Sequence, residues 1–278
     1  MTIVTRFAPS PTGLLHLGHA YAALFAERRA REAGGRFLLR IEDIDRTRCR
    51  SAFEAALSED LAWLGLSWET PVRRQSEHMA DYAGALARLE TGGLVYPCFC
   101  TRRAIAAEIA AAAAAPHGPD GSVYPGTCRA LAESERSARI KAGIPYALRL
   151  DVAEAARRAG PLAWTDRGRG EQAARPEIFG DVVLARKETP ASYHLAVTVD
   201  DALQGVTLVT RGEDLFAATH VHRLLQALLG LPTPAYHHHR LLTDRDGRRL
   251  AKRDKSATLR SLRDAGRTPA EARALAGF

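Results

Sequence analysis

A short strand-like run, residues 2–7, leads through Ala8 into PSPTGLLHLGHA, where two prolines, two glycines and two histidines fall within twelve residues. That stretch leaves the backbone few choices. Pro9, Pro11 and Gly13 interrupt any regular element, so residues 2–7 read as a short buried strand ending in a loop. Residues 18–33 then read as a helix, and Gly34-Gly35 stops it. RFLLRI, residues 36–41, reads as a second strand. Strand, crossover helix and strand connect right-handedly and lie parallel, which predicts an α/β fold with a doubly wound parallel sheet. Ligands of such sheets bind outside the carboxyl ends of the strands. The opening loop and EDIDRTR, residues 42–48, are therefore expected to face one crevice.

A chain of 278 residues is long enough to bury a sizeable core in one large or two small domains. Its 39 Lys+Arg against 32 Asp+Glu give a net charge of +7, mostly from arginine, which suits phosphate-bearing partners without specifying one. No long apolar run and no cationic, apolar, cleavable leader is present, so the expectation is a cytoplasmic protein with no membrane partner. Cys98, Cys100 and Cys128 cluster in one segment while Cys49 lies apart. In a reducing compartment that spacing points to a metal site, with Cys49 structural.

The chemistry of His16-Leu17-Gly18-His19 follows from its place at the expected helix start. Two imidazoles one turn apart can donate to a phosphate, and the glycine between them lets backbone approach it. RFAPSPTGLLHLGHA and LLRIEDIDRTR resemble the nucleotide-binding half of class I glutamyl- and glutaminyl-tRNA synthetases, whose HIGH motif His16–His19 matches. The resemblance implies a Rossmann-type catalytic domain that binds ATP with Mg2+ through His16, Gly18 and His19. Residues 192–215, read here as strand-like runs joined by a turn, resemble the second half of that domain.

By the same resemblance, Arg6, Phe7, Ala8, Pro9, Ser10, Glu42, Tyr193 and Arg211 are expected around glutamate. A guanidinium takes a carboxylate bidentately, so Arg211 is expected to select glutamate over its neutral amide, with Glu42 pairing the ammonium. Which arginine meets which carboxylate is left open. Near the carboxyl end, Arg249-Leu250-Ala251-Lys252-Arg253 aligns with the KMSKS loop, with Lys252 at the position that neutralises phosphate charge. Ala251 replaces the usual serine and Arg249 the first lysine, a departure that bears on how ATP is held.

Between the halves lies an expected insertion, residues 96–190. Cys98, Cys100 and Cys128, with Tyr124 four residues before the last, resemble the Cys-x-Cys…Tyr-x3-Cys pattern of glutamyl-queuosine tRNA(Asp) synthetases. This implies one structural Zn2+; from the residues alone, His117 or water are alternatives for the fourth position. The alanine-rich stretch ending at Pro116 reads as a helix. YHHHR, residues 236–240, reads as a strand, on which only His237 and His239 share a face.

The expected organisation is thus 1–95, first catalytic half; 96–190, inserted zinc subdomain; 191–232, second half; 233–278, carboxyl-terminal part with the KMSKS-like loop. The sequence ends at Phe278, soon after that loop, so no anticodon-binding domain is expected, and the chain is expected to be a monomer. The resemblance then implies partners ATP, L-glutamate and the anticodon stem-loop of a tRNA(Asp) bearing queuosine. Arg245, Arg248, Arg249, Arg253, Arg260 and Arg263 are candidates to hold its stem phosphates. A minimal glutamyl-tRNA synthetase and a non-catalytic RNA-binding paralogue are the alternatives.

Overall fold

The computed structural model describes residues 2–111, 117–119, 121–186, 189–242 and 258–278. The first half runs β1 (Val4–Phe7), α1 (Leu17–Glu32), β2 (Arg36–Ile41), α2 (Ser51–Trp63), β3 (Glu69–Arg74) and α3 (Met79–Thr91). Next come β4 (Val95–Cys98), α4 (Arg102–Ala111), β5 (His117–Gly118), β6 (Gly121–Ser122), α5 (Glu133–Lys141), β7 (Ala147–Leu150) and α6 (Val152–Ala159). The chain continues through β8 (Ala163–Asp166), β9 (Gly170–Ala173), β10 (Val183–Arg186), α7 (Tyr193–Leu203), β11 (Leu208–Gly212) and α8 (Ala218–Leu228). It closes with β12 (Ala235–His239), α9 (Leu259–Asp264) and α10 (Pro269–Leu275). None of the described helices is long and apolar enough to cross a membrane.

β1, β2 and β3 pair in parallel, as do β11 and β12. The Thr207 amide donates to the Val4 carbonyl (3.0 Å), which sets β11 beside β1 and joins the two halves. β1 is buried along its whole length and β2 beyond its first residue, the signature of strands covered on both faces. Phe37, Leu39 and Ile41 pack with α1 and α2, while Leu38 points the other way to meet Val4, Trp164, Val209 and Tyr236. A period of two thus distributes one strand between two cores.

Two expectations change. Residues 193–203 form a helix, not a strand. Ser192 caps it by accepting the Leu195 amide, and Leu195, Ala196 and Val199 fall on one face against α3 and α8 residues. A short apolar run fits either element until its neighbours choose. The stretch 96–190 is also less separate than expected. β4, β7 and β10 form their own antiparallel sheet, but β8 pairs in parallel with β12, adding itself and its antiparallel neighbour β9 to the sheet of β11 and β12.

Candidate active site and cysteine cluster

A cavity of about 420 Å³ opens at the carboxyl ends of β1 and β11 and is lined by Arg6, Phe7, Ala8, His16, Gly18, His19, Glu42, Tyr193 and Arg211. Two loops converge because the Glu42 amide donates to the Pro9 carbonyl (3.0 Å), tying the end of β2 to the opening loop over buried Pro9. Ser10 lines a neighbouring cavity of about 690 Å³, which shares Glu42 and Tyr193 with the first and extends to Arg48, Arg102 and Tyr124.

His16 is the N-cap of α1, and its Nδ1 accepts the Gly18 amide (3.1 Å). His19 returns the arrangement, its Nδ1 accepting the His16 amide (3.2 Å). In each neutral ring the proton then belongs on Nε2, so two N–H donors are set at a helix start whose dipole already favours anions. The ring centroids are 3.8 Å apart. A Cβ on Gly18 would come within 2.9 Å of His16 Cε1, so Gly18→Ala must displace that ring. Lys252, Arg245, Arg248, Arg249, Ala251 and Arg253 lie outside the described residues. The chain on either side of that segment stands at the cavity, however: Leu241 and Leu242 line it, and Thr258 bridges to His16. Arg260 and Arg263 approach Glu59 of α2, at 3.8 and 3.2 Å.

The two arginines expected at glutamate have opposite surroundings. Arg6 is neutralised: its Nε and Nη2 donate to Asp201 (2.9 and 3.2 Å) and its Nη1 to the Thr210 carbonyl. Asp201 also takes Arg40 (2.8 Å), which is fully buried in β2 and reaches Glu42 at 3.3 Å. Burial raises the Glu42 carboxyl above the usual carboxylate range, with Arg40 and Arg6 opposing. Arg211, 6% exposed, meets only neutral groups among the described residues: His238, Tyr193, His222 and Thr219. A buried cation without a counter-ion is costly, and it faces a cavity. The residues that create this contrast, Asp201, Arg40, His222, His238 and Thr219, escaped the sequence reading. Only the paired Asp200-Asp201 inside an apolar run carried a signal, since buried acids require partners.

His237 and His239 share one face of β12, as the alternation requires, but pack against Phe25 (centroids 4.9 and 5.1 Å). Burial pulls His194, His220, His222, His237, His238 and His239 below the ordinary imidazole value, His194 and His238 to about 4. The unfolded chain therefore binds more protons below pH 6.5. Stability should be complete above that pH and fall as pH drops toward 4, each group contributing up to about 1.4 kcal/mol per pH unit. Denaturant midpoints that stay level from pH 7 to 4.5 would contradict this.

Among the described residues, only Cys98, Cys100 and Cys128 form a group of three ligand-type side chains close enough to hold a metal, their sulfurs lying within 4.8 Å of one another. Cys100 Sγ is 3.4 Å from Cys128 Sγ and 3.6 Å from Tyr124 Oη. A tetrahedral ion with bonds of about 2.3 Å places its sulfurs roughly 3.8 Å apart, so the cluster fits. Burial opposes thiolate at Cys128, but hydrogen bonds from Tyr124, the Phe99 amide (3.3 Å) and the neighbouring thiols bring it below the usual thiol value. Burial pushes Cys100 up to about 11. Cys49 stands elsewhere, its Sγ 3.9 Å from the Glu42 carbonyl, and the His117 side chain is outside the description.

Residues 2–274 match the family described as tRNA synthetases class I (E and Q), catalytic domain. The chain is 54% identical to the Glutamyl-Q tRNA(Asp) synthetase of Rhodobacter capsulatus over 99% of its own length and 100% of that protein. With the protein of the same name from Symbiobacterium thermophilum it shares 46% identity, covering 95% of this chain and 82% of the relative. A solved glutamate-tRNA synthetase from Elizabethkingia anophelis superposes with a TM-score of 0.76 at 29% identity. That match covers 91% of this chain, which spans about half, 53%, of the solved one. A parallel sheet with paired histidines at the first helix start and an almost full-length family match lead to one assignment: the chain belongs to the class I tRNA synthetase (E and Q) catalytic-domain family.

Proposed function

We propose that the protein is a ligase that activates L-glutamate with ATP and passes it to the cyclopentenediol of queuosine in the anticodon of tRNA(Asp). The reading is carried by Arg211, a buried guanidinium with no carboxylate partner among the described residues, in the same cavity as the His16–His19 pair. It is supported by the names of relatives matched over most or all of their length. Arg211 takes the side-chain carboxylate of glutamate and Glu42 its ammonium, with Tyr193, Arg6, Phe7 and Ala8 forming the walls. The α-carboxylate oxygen attacks the α-phosphorus in line, the bond to the β-phosphate oxygen breaks, and pyrophosphate leaves. His16 and His19 Nε2–H groups and Lys252 stabilise the charge that develops there, and Gly18 leaves room for the phosphates. Mg2+ arriving with ATP shields its phosphates.

In the second step a queuosine hydroxyl attacks the adenylate carbonyl, an ester forms and AMP leaves. The larger neighbouring cavity, sharing Glu42 and Tyr193 and edged by Arg48 and Arg102, is where the acceptor enters. Unstacked loop bases suit such a recess.

ATP–pyrophosphate exchange with glutamate tests the first step; a folded sample that exchanges with glutamine or aspartate as well would refute the pocket, and one that exchanges with none would favour a non-catalytic paralogue. Gly18→Ala should slow exchange by at least about tenfold while glutamate still binds, because the loss is in charge stabilisation at phosphate. For the second step, radiolabelled glutamate is offered to tRNA(Asp) with and without queuosine and to tRNA(Glu), and nuclease mapping locates the label. Label at a 3′-terminal adenosine would instead identify a minimal glutamyl-tRNA synthetase.

For the cluster we propose one Zn2+ held by Cys98, Cys100, Cys128 and Tyr124, in a structural role because four protein ligands leave no open position. Elemental analysis should find one zinc per chain, and Cys128→Ser should lose it together with the local fold. Zinc retained by Tyr124→Phe at undiminished affinity would exclude the phenol.

A further inference from the structure

Arg211 is oriented by neutral groups, and one of these is itself gripped by a buried carboxylate. Arg211 Nε donates to His238 Nε2 (3.1 Å), and His238 Nδ1 stands 2.7 Å from Asp166 Oδ2, with neither of the latter two side chains exposed. Since a guanidinium has no lone pair to offer, His238 Nε2 must accept. Its proton then sits on Nδ1 and is donated to Asp166. The carboxylate is fixed in turn, taking the Gly168 amide on Oδ1 (2.8 Å) and the His238 amide on Oδ2 (3.1 Å).

We propose that Asp166 and His238 are positioning residues for Arg211: the carboxylate holds the imidazole in its Nδ1–H tautomer, and the Nε2 lone pair so presented aims the guanidinium into the cavity without neutralising it. The proposal rests on the reading of Arg211 as the glutamate carboxylate receptor. The same molecule supplies the contrasting design. Arg6 is held directly by Asp201 with two hydrogen bonds, and its charge is spent within the fold. An imaginary Asp in direct contact with Arg211 would orient it equally well but would compete with the substrate carboxylate. Interposing an imidazole keeps the direction and moves the negative charge one ring further away, where its attraction is weaker. The other side of Arg211 repeats the pattern. His222 Nδ1 accepts from Nη1 (3.1 Å), so its Nε2–H donates to His194 Nδ1 (3.1 Å), a second neutral, single-tautomer support.

The test is ATP–pyrophosphate exchange with Asp166→Asn, His238→Gln and the double variant. An amide at 166 can donate to His238 and stabilise the opposite tautomer, which turns an N–H toward Arg211 Nε; loss of a partner that fixes a ring tautomer is a large effect in other sites. Asp166→Asn should raise KM for glutamate by about 10- to 100-fold, with KM for ATP changed less than about threefold and discrimination against glutamine reduced. His238→Gln retains an acceptor oxygen near the Nε2 position and should give a smaller rise. In the double variant the effect of Asp166→Asn should largely vanish, since it acts through the ring that is gone. An active Asp166→Asn protein with unchanged glutamate KM, or an Asp166→Asn penalty that persists in full when combined with His238→Gln, would overturn the proposal. Should Asp166→Asn not fold, His238→Leu replaces it: leucine must cost much more glutamate affinity than glutamine, and equal losses reject the idea. Imidazole 15N spectra of the unaltered protein must give His238 as the Nδ1–H tautomer, a readout independent of turnover. An unaltered protein that ignores glutamate while keeping that tautomer would sink the glutamate reading and leave the dyad standing.

Discussion

Arg211→Ala is expected to raise KM for glutamate by about 100-fold or more while KM for ATP moves only a few-fold, measured by pyrophosphate exchange. The reason is that Arg211 has no counter-ion among the described residues. Arg211 is 6% exposed and its partners, His238, His222, Thr219 and Tyr193, are all uncharged. A substrate carboxylate entering the cavity would supply the charge that the fold withholds, and losing one member of a buried, hydrogen-bonded ion pair typically costs a few kcal/mol. The stability of the unliganded protein should respond differently. No carboxylate among the described residues neutralises this buried cation, so removing it also removes a desolvation cost and thermal stability should fall little. A variant that unfolds but, when folded, binds glutamate normally would show that the guanidinium serves packing instead. Arg211→Gln should likewise fail to shift preference cleanly to glutamine, because the amide loses charge but keeps the same neutral surroundings.

Asp201→Ala is expected to do the opposite, costing about 3–5 kcal/mol of stability and a fall in Tm on the order of 10 °C. Asp201 Oδ1 and Oδ2 hold Arg6, and Oδ1 also holds Arg40. Without the carboxylate, Arg6 loses its ion pair, and fully buried Arg40 keeps Glu42 at 3.3 Å and Asp200 at 3.8 Å. Asp200 has little to spare, since it already accepts from Arg73, Gln75 and Tyr82. Calorimetry or denaturant titration of Asp201→Ala against Asp201→Asn separates charge from hydrogen bonding. A change within about 1 kcal/mol for the alanine variant would mean that the two arginines find water or other partners.

These two aspects of one cavity differ in how far they could be read beforehand. The β1–α1–β2 unit is legible to within a residue or two, because two short strand-like runs flank a helical stretch and Gly34-Gly35 leaves the helix nowhere to continue. The paired histidines were legible for a local reason as well: His16 and His19 are three residues apart on one helix, so their contact depends on no distant part of the chain. The three thiols announced themselves by spacing, Cys98-x-Cys100 being short enough to share an ion. Residues 193–203 read as strand-like because their β-branched VTV suits a strand on propensity, and only packing against α3 and α8 selects the helix.

Local spacing therefore disclosed the elements, the paired histidines and the thiols, each a matter of residues close in the chain. Charge balance in the interior was a different matter. Arg6 meets Asp201 across 195 positions and Arg40 meets it across 161, while Asp166 reaches His238 across 72. Whether an arginine is neutralised or left to attract a substrate depends on which distant carboxylate the fold brings within about 3 Å, and Coulomb energy in a poorly polarisable interior changes steeply over that distance. Nothing in RFAPSP distinguishes Arg6 from Arg211; the sheet does, by placing α7 and its two aspartates under one of them and β12 with its imidazole under the other.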